Sequence, residues 1–143
     1  MFIADTHCDT LWRLAGLSGR KDDRVCVTPD TLAKGGVTLQ VCALYAGNAG
    51  PRETGERAPQ NVAAAELAAL PKLTEAGVRQ VDSPFEAKEG ESCLMLSIEG
   101  AEVFGGSLEK LRKFRQRGVR LCALTWNHEN LLAWPHCENG QRG

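Results

Sequence analysis

Four nearly continuous apolar runs, separated by polar or amphipathic stretches, dominate the pattern of this chain. They cover residues 2–4, 37–45, 93–98 and 119–125. Short apolar runs rich in β-branched and bulky side chains are typical of strands that are buried on both faces of a sheet. We therefore predict four such strands, and residues 78–82 could add a short fifth one.

Helical patterns lie between these strands. Thr28 and Ser107 suit N-caps, because a side-chain oxygen can accept a hydrogen bond from the first turn of a helix. Pro71 should kink or break the helix that contains it, since proline removes a backbone donor and crowds the preceding turn. We predict one or two helical turns in residues 11–17 and helices over residues 29–34, 61–75 and 108–117.

The resulting order is strand, helix, strand, helix, strand, helix, strand. Apolar strands that alternate with helices predict a parallel sheet covered on both faces, so the chain belongs to the α/β class. Its 143 residues fit one domain, residues 1–143. In such folds the C-terminal ends of the strands open on one face, where ligands and catalytic groups gather.

Composition narrows the possible partners. The chain is 43% apolar and 24% charged, as in globular proteins, and its net charge of −1 gives no electrostatic case for nucleic acid or an anionic membrane. No apolar run reaches the roughly 18 residues of a membrane-spanning helix. The first residues carry no basic segment before an apolar one, so we predict no secretory signal and a cytoplasmic location.

The six cysteines form no Cys-x-x-Cys pair. Cys42, Cys93 and Cys122 lie inside apolar runs, and we interpret them as reduced, buried side chains that act as small hydrophobes. Without a signal peptide, a disulfide framework is not expected. The other three are Cys8, Cys26 and Cys137.

Polar, titratable residues follow the strands. His7 and Asp9 come after the first strand, and in an extended chain residues i and i+2 point to the same side. Imidazole and carboxylate together suit zinc and similar divalent ions. Glu99, at the end of the third strand, could be a third ligand or bridge two ions. The alternative for Glu99 is an ion pair with an arginine such as Arg120.

The remaining histidines are less informative. A His-x-Asp pair is common by chance, so His7 could also be an ordinary loop histidine. His128 follows the fourth strand directly and could face the same site. His136 lies in a Trp-Pro-His-Cys segment, for which we expect a solvated loop position.

Several of these segments resemble one enzyme family. Residues 5–10, Asp-Thr-His-Cys-Asp-Thr, resemble the opening of the membrane dipeptidase (renal dipeptidase, peptidase M19) family. Residues 94–100, Leu-Met-Leu-Ser-Ile-Glu-Gly, resemble the family's segment with the metal-bridging glutamate. Residues 108–120 with 124–125, and residues 32–40, resemble the adjoining helix and strands. The resemblance covers nearly the whole chain in the right order.

The resemblance implies a (β/α)₈ TIM barrel of the metal-dependent hydrolase type, with two zinc ions that hydrolyse dipeptides. By this likeness His7 and Asp9 bind one ion, and Glu99 bridges both and is catalytic. A metal-bridging hydroxide would attack the peptide carbonyl. Family members often accept a D-residue at the C-terminal position of the dipeptide.

The chain departs from the family in two ways. A complete barrel needs about 250 residues, so about four βα units and the N-terminal half are expected here, and this piece alone should be inactive or nearly so. The family's two further histidine ligands lie beyond the fourth strand. The family also has Thr-His after that strand, whereas here Trp126 follows Thr125 and the histidine is His128. Trp126 and His128 are the candidates for substrate binding.

Two other functions compete with the dipeptidase. One is another amidohydrolase-type barrel, although most of those carry His-x-His on the first strand and this chain has Asp9 in the second position. The other is a non-catalytic half-barrel that self-associates or binds a partner, because a half-barrel leaves sheet edges and an apolar face uncovered. A homo-oligomer is therefore among the expected states.

Overall fold

A computed structural model describes residues 1–19, 24–45 and 54–136. Its strands are β1 (Ile3–Asp5), β2 (Val37–Tyr45), β3 (Arg79–Gln80), β4 (Cys93–Glu99) and β5 (Val119–Ala123). Its α-helices are α1 (Thr10–Leu14), α2 (Pro29–Gly35), α3 (Pro59–Ala69), α4 (Pro71–Thr74) and α5 (Leu108–Gln116). Short 3₁₀ turns cover Gly55–Arg57, Pro84–Glu86 and Ala101–Phe104.

The five strands form one sheet in which every pairing is parallel. The order begins β1, β2, β4, and the far edge of β4 is shared by two strands. The first residues of β4 pair with β3, and the last residues of β4 pair with β5. The predicted α/β class, the four main strands and the short extra one are thereby confirmed.

The two faces of the sheet pack differently because side chains alternate along each strand. On one face Leu44, Leu96 and Ile98 join the main core, which the helices cover through residues such as Leu67 and Phe114. The opposite face holds a smaller cluster of buried residues: Leu39, Val41, Val81, Cys93 and Met95. This smaller cluster lies on the N-terminal half of the strands, so on this face the C-terminal half of the strands is not filled by the apolar cluster.

Local signals explain where the helices begin and end. The Thr28 side chain accepts a hydrogen bond from the Thr31 amide, and Pro29 takes the first helical position of α2. Gly36 ends that helix with φ +64°, a conformation that only glycine adopts readily. Pro71 divides the predicted 61–75 helix into α3 and α4, as expected.

Two boundaries illustrate where the structure departs from the predictions. Helix α3 starts at Pro59, two residues before the predicted start, because proline's fixed φ suits the first helical turn. Strand β5 ends at Ala123 rather than at residue 125. Residues 126–136 contain no helix or strand, as predicted for that loop. Parts of the predicted loops, residues 20–23, 46–53 and 137–143, lie outside the described residues.

The prediction that Cys122 is buried is wrong, whereas Cys42 and Cys93 are buried. Cys122 is exposed because β5 pairs with β4 alone within the described part of the chain. Its neighbour Leu121 is exposed for the same reason. An apolar run therefore identified this strand correctly but could not show that it lies at a sheet edge.

Within the described ranges, no helix has the length and apolar character needed to cross a membrane. The predicted cytoplasmic location stays a prediction.

Leu96 offers a test of the packing. Its side chain is fully buried in the centre of β4, so Leu96→Ala should lower the free energy of unfolding by about 2–5 kcal/mol. Leu108→Ala, at an exposed helix position, should change it by no more than about 0.5 kcal/mol. Urea denaturation of both variants measures the difference, and similar losses would contradict this description of the core.

Candidate metal centre

The first part of the site is the segment that follows β1. The Cys8 amide donates to the Val41 carbonyl over 3.0 Å, and the Ala43 amide donates to the Cys8 carbonyl over 2.9 Å. The ladder with β2 is thus resumed at Cys8, which turns its side chain toward the helix-covered core. Because side chains alternate, His7 and Asp9 point to the opposite face.

Asp5 helps to shape this segment. Its Oδ1 accepts a hydrogen bond from the His7 amide over 3.1 Å, a local bond of the kind that aspartate forms in turns. The buried Gln40 side chain donates to the Val41 carbonyl over 3.2 Å and reaches the Asp5 carbonyl at 3.4 Å. The backbone around His7 is therefore held by side-chain contacts as well as by the ladder.

The second part of the site is the end of β4. Glu99 is the last residue of that strand and pairs in register with Tyr45, the last residue of β2. Gly100 follows with φ +97°, and a Cβ atom there would overlap the Glu102 carboxylate. The positive φ favours glycine at this position. A 3₁₀ turn over Ala101–Phe104 follows, so Glu99 lies at the C-terminal end of the strand.

The three predicted ligands come together. His7 Nε2 lies 3.3 Å from Asp9 Oδ1 and 3.6 Å from Glu99 Oε2, and ligand atoms of all three residues lie within 4.8 Å of one another. Ligands about 2.1 Å from a tetrahedral zinc ion lie about 3.4 Å apart. One nitrogen and two carboxylate donors at this spacing fit a divalent metal ion without rearrangement of the backbone.

An ion pair between Glu99 and Arg120, the example given for the alternative, is not formed. Arg120 instead forms an ion pair with Asp82 and donates hydrogen bonds to the Arg115 and Val119 carbonyls. Arg120 is the second residue of β5, and its partner Asp82 lies two residues after β3. Its guanidinium is therefore directed toward the β3 segment and not toward Glu99. Glu99 is left facing His7.

Electrostatics at Glu99 follow from its neighbours. Partial burial raises the pKa of the Glu99 carboxyl, His7 lowers it, and the negative charges of Asp9 and Glu102 raise it further. The combined effect is an increase, so the site as it stands disfavours the ionised carboxylate. A bound cation would reverse this effect.

Aromatic rings pack against one another at the C-terminal end of β2. The Tyr45 ring packs edge-on against Trp12 and Trp126, with ring centroids 5.3 and 5.0 Å apart. The His128 ring lies 6.5 Å from that of Trp126. Trp126 and His128 are thus connected through Tyr45 to the strand end beside Glu99, whereas His136 is exposed, as expected.

Glu66 is a residue of this region that the sequence interpretation missed. Its side chain is fully buried on α3, and Oε2 accepts a hydrogen bond from the Tyr45 amide over 2.8 Å. Oε1 has no hydrogen-bond partner among the described residues. Burial, with the charges of Asp9 and Glu99, raises the Glu66 pKa to about 9, so the carboxyl is protonated at neutral pH.

A signal for Glu66 was present in the sequence. It lies four residues after Val62 and four before Leu70, which places it on the same helical face as these apolar residues. A single charged residue on an apolar face is either neutralised or paired when the helix packs.

The family assignment comes from comparison of the whole chain. The model of the membrane dipeptidase family, Peptidase family M19, matches residues 1–141. This chain belongs to the membrane dipeptidase family. A comparison with curated proteins gives no significant match.

Several solved structures share the fold of this chain. Dipeptidase AC, an M19 metallopeptidase, superposes with a TM-score of 0.73 at 22% identity, over 90% of this chain and 44% of that one. A Rhodobacter sphaeroides metallopeptidase liganded with a phosphinate mimic of L-Ala-D-Ala gives 0.68 at 19% identity, over 90% and 46%. A Pseudomonas aeruginosa amidohydrolase gives 0.57 at 19% identity, over 72% and 31%.

This M19 chain therefore spans less than half the length of the dipeptidases it matches. The predicted partial barrel is confirmed as the fold class. Among the described residues, His7, Asp9 and Glu99 are the only group of three or more potential ligands close enough to hold an ion.

The protonated Glu66 makes stability depend on pH. An ordinary glutamate titrates near pH 4.5 in the unfolded chain, whereas the folded pKa is about 9. The folded state holds the extra proton, so the free energy of unfolding falls as pH rises from about 4.5 to about 9. At pH 7 the expected loss is about 3 kcal/mol, from about 1.4 kcal/mol per pH unit.

Glu66→Gln tests this dependence, because the amide keeps an acceptor for Tyr45 and cannot ionise. We expect the variant to match the parent near about pH 5 and to be the more stable of the two near about pH 8, as measured by urea denaturation. Glu75→Gln, at an exposed position, should leave the parent's pH dependence unchanged. Parallel curves for the parent and Glu66→Gln would show that Glu66 does not titrate as described.

Proposed function

We propose that this chain supplies one half of the metal centre of a zinc-dependent dipeptidase. The observation that carries the proposal is the convergence of His7, Asp9 and Glu99 at the C-terminal ends of two parallel strands. Catalytic groups of (β/α)₈ barrels lie at this end of the strands. Membership of the M19 family supports the choice of reaction.

Zinc suits the three donors. Imidazole nitrogen and carboxylate oxygen are both zinc ligands, and a catalytic zinc ion keeps a position open for water or substrate. When bound, zinc polarises a substrate carbonyl and lowers the pKa of water. In our proposal His7 and Asp9 would hold one ion, and Glu99 would be a ligand shared with a second ion.

The chain's own residues then bind and orient the dipeptide. We assign this role to Trp126 and His128. The contact of the Trp126 ring with Tyr45, and of the His128 ring with Trp126, supports the assignment. The indole offers an apolar wall and the imidazole offers a donor for an anionic group. The Rhodobacter sphaeroides relative binds a mimic of L-Ala-D-Ala, which makes that dipeptide the first substrate to test.

Two ions need more than three protein ligands. Since the described residues provide one group of three, the remaining ligands must come from outside them, and the chain alone should be inactive or nearly so. The length that the dipeptidases have beyond this chain is one source of such ligands.

A second candidate function, self-association of a half-barrel, is favoured by the surface beside β5. Leu121, Leu124 and Leu132 are exposed there and line, with Phe104 and Phe114, a cavity of about 250 Å³. Analytical ultracentrifugation with metal analysis separates the two functions. A folded, metal-free dimer would favour self-association, and a zinc-loaded monomer would favour the metal centre.

Zinc affinity tests the ligand set directly. Removal of one of three ligands should weaken zinc binding by about 100-fold or more, because loss even of the residues that support ligands costs about 10–100-fold. We therefore expect His7→Ala to reduce the affinity strongly in a competition titration with a chelating dye. The matched control is His136→Ala, at an exposed position, which should bind zinc as the parent does. Equal affinities for the two variants would refute the assignment.

Hydrolysis of L-Ala-D-Ala tests the need for further ligands. The zinc-loaded chain should release alanine at or near the blank rate, because one ion lacks most of its ligands. Turnover well above the blank that disappears in His7→Ala would instead show that the three residues suffice, and would contradict this part of the proposal.

A further inference from the structure

Two cysteines face each other directly beside the metal centre. The backbone hydrogen bonds on either side of Cys8, to Val41 and from Ala43, place it opposite Cys42 in the ladder between the first two strands. The two Sγ atoms are 3.7 Å apart. Cys42 is 1% exposed, whereas Cys8 is only partly buried and can be reached from solvent.

This geometry is close to that of a disulfide. Neighbouring strands lie about 4.7–4.9 Å apart, inside the Cα separation of about 4.4–6.8 Å that disulfides span. The sulfur atoms must approach by about 1.6 Å to reach the S–S distance of about 2.05 Å. Neither strand has to leave the sheet for this to happen.

The movement falls on the Cys8 side. Cys42 lies in the middle of β2, between β1 and β4, with buried residues before and after it. Among the described residues, Cys8 lies at the edge of the sheet and is held by two backbone hydrogen bonds to β2. Its sequence neighbours are His7 and Asp9, so a shift of Cys8 displaces both.

We propose that Cys8 and Cys42 are a covalent modification site, a reversible disulfide whose formation displaces His7 and Asp9 and weakens metal binding. The oxidant is a peroxide. Each thiol gives up one proton and one electron, the S–S bond forms, the O–O bond of hydrogen peroxide breaks and two water molecules are released. A dithiol reductant reverses the reaction. Cytosolic disulfides of this transient kind serve as redox sensors. The effect on metal binding rests on the proposed function.

The coupling is reciprocal. If oxidation weakens metal binding, a metal ion held by His7 and Asp9 must oppose oxidation by the same free energy. The site then keeps its thiols reduced while it is loaded, and becomes sensitive to peroxide when it is empty.

The test uses the full chain with Cys26, Cys122 and Cys137 replaced by serine. Cys26 and Cys122 are exposed and would react first. After peroxide treatment we expect a loss of two hydrogens by mass spectrometry, a Cys8–Cys42 cross-linked peptide, and recovery with dithiothreitol. Cys42→Ala in the same background should form no such link. A link from Cys93 to either residue, or oxidation of Cys8 to sulfinic acid without a link, would overturn the proposal.

Two further measurements separate this proposal from the metal centre itself. Oxidised protein should bind zinc about 10–100-fold more weakly than reduced protein, the range found when the support of a ligand is lost. In the metal-free protein, NMR should show the His7 imidazole resonances shifting on oxidation and returning on reduction. A disulfide that changes neither the zinc affinity nor the His7 resonances contradicts the coupling. If the reduced protein binds no zinc while the His7 resonances still shift on oxidation, the proposed function fails and the disulfide proposal stands.

Discussion

The parallel ladder between β2 and β4 sets the height and the direction of the side chains at the metal centre. It runs without a break from Leu39, opposite Cys93, to Tyr45, opposite Glu99. Every second residue faces the same side. Buried apolar side chains therefore fill the lower half of one face, and Glu99 ends the same row. A slip of one residue would turn Glu99 into the helix-packed core and leave the site without it.

The three candidate ligands approach one another across β2, a strand that contributes no side chain to the group. β1 and β4 both pair with β2, so they are separated by two strand spacings, about 9.5 Å. The β2 residue between the Asp9 segment and Ser97 is Ala43. Its small side chain leaves room above it, so that an imidazole and two carboxylates can meet there. A bulky residue at this position would fill the space between the three side chains.

The sequence predicted what depends on local chemistry. The strands, the cap at Thr28, the break at Pro71 and the direction of His7 and Asp9 all follow from alternation, capping and proline geometry. Burial at a sheet edge depends instead on what covers the edge, so the pattern around Cys122 predicted a core residue where the structure has an exposed one. The ion-pair partner of Arg120 likewise depends on where the segment of β3 lies in the sheet. No local sequence pattern predicts that this segment lies beside β5.

Two carboxyl groups of this region, those of Glu66 and Glu99, differ in burial, and this difference decides which of them a cation can reach. Desolvation, followed by the charges of Glu99, Asp9 and Glu102, raises the pKa of Tyr45 to about 12, so carboxyl groups crowd this end of the sheet. A crowded carboxylate can be neutralised by a proton or by a positive ion. Glu66 is fully enclosed and keeps a proton. Glu99 is partly open and 3.6 Å from His7, so a metal ion can reach it. The same crowding of carboxyl groups thus keeps Glu66 neutral beneath β2 and leaves Glu99 available to a cation.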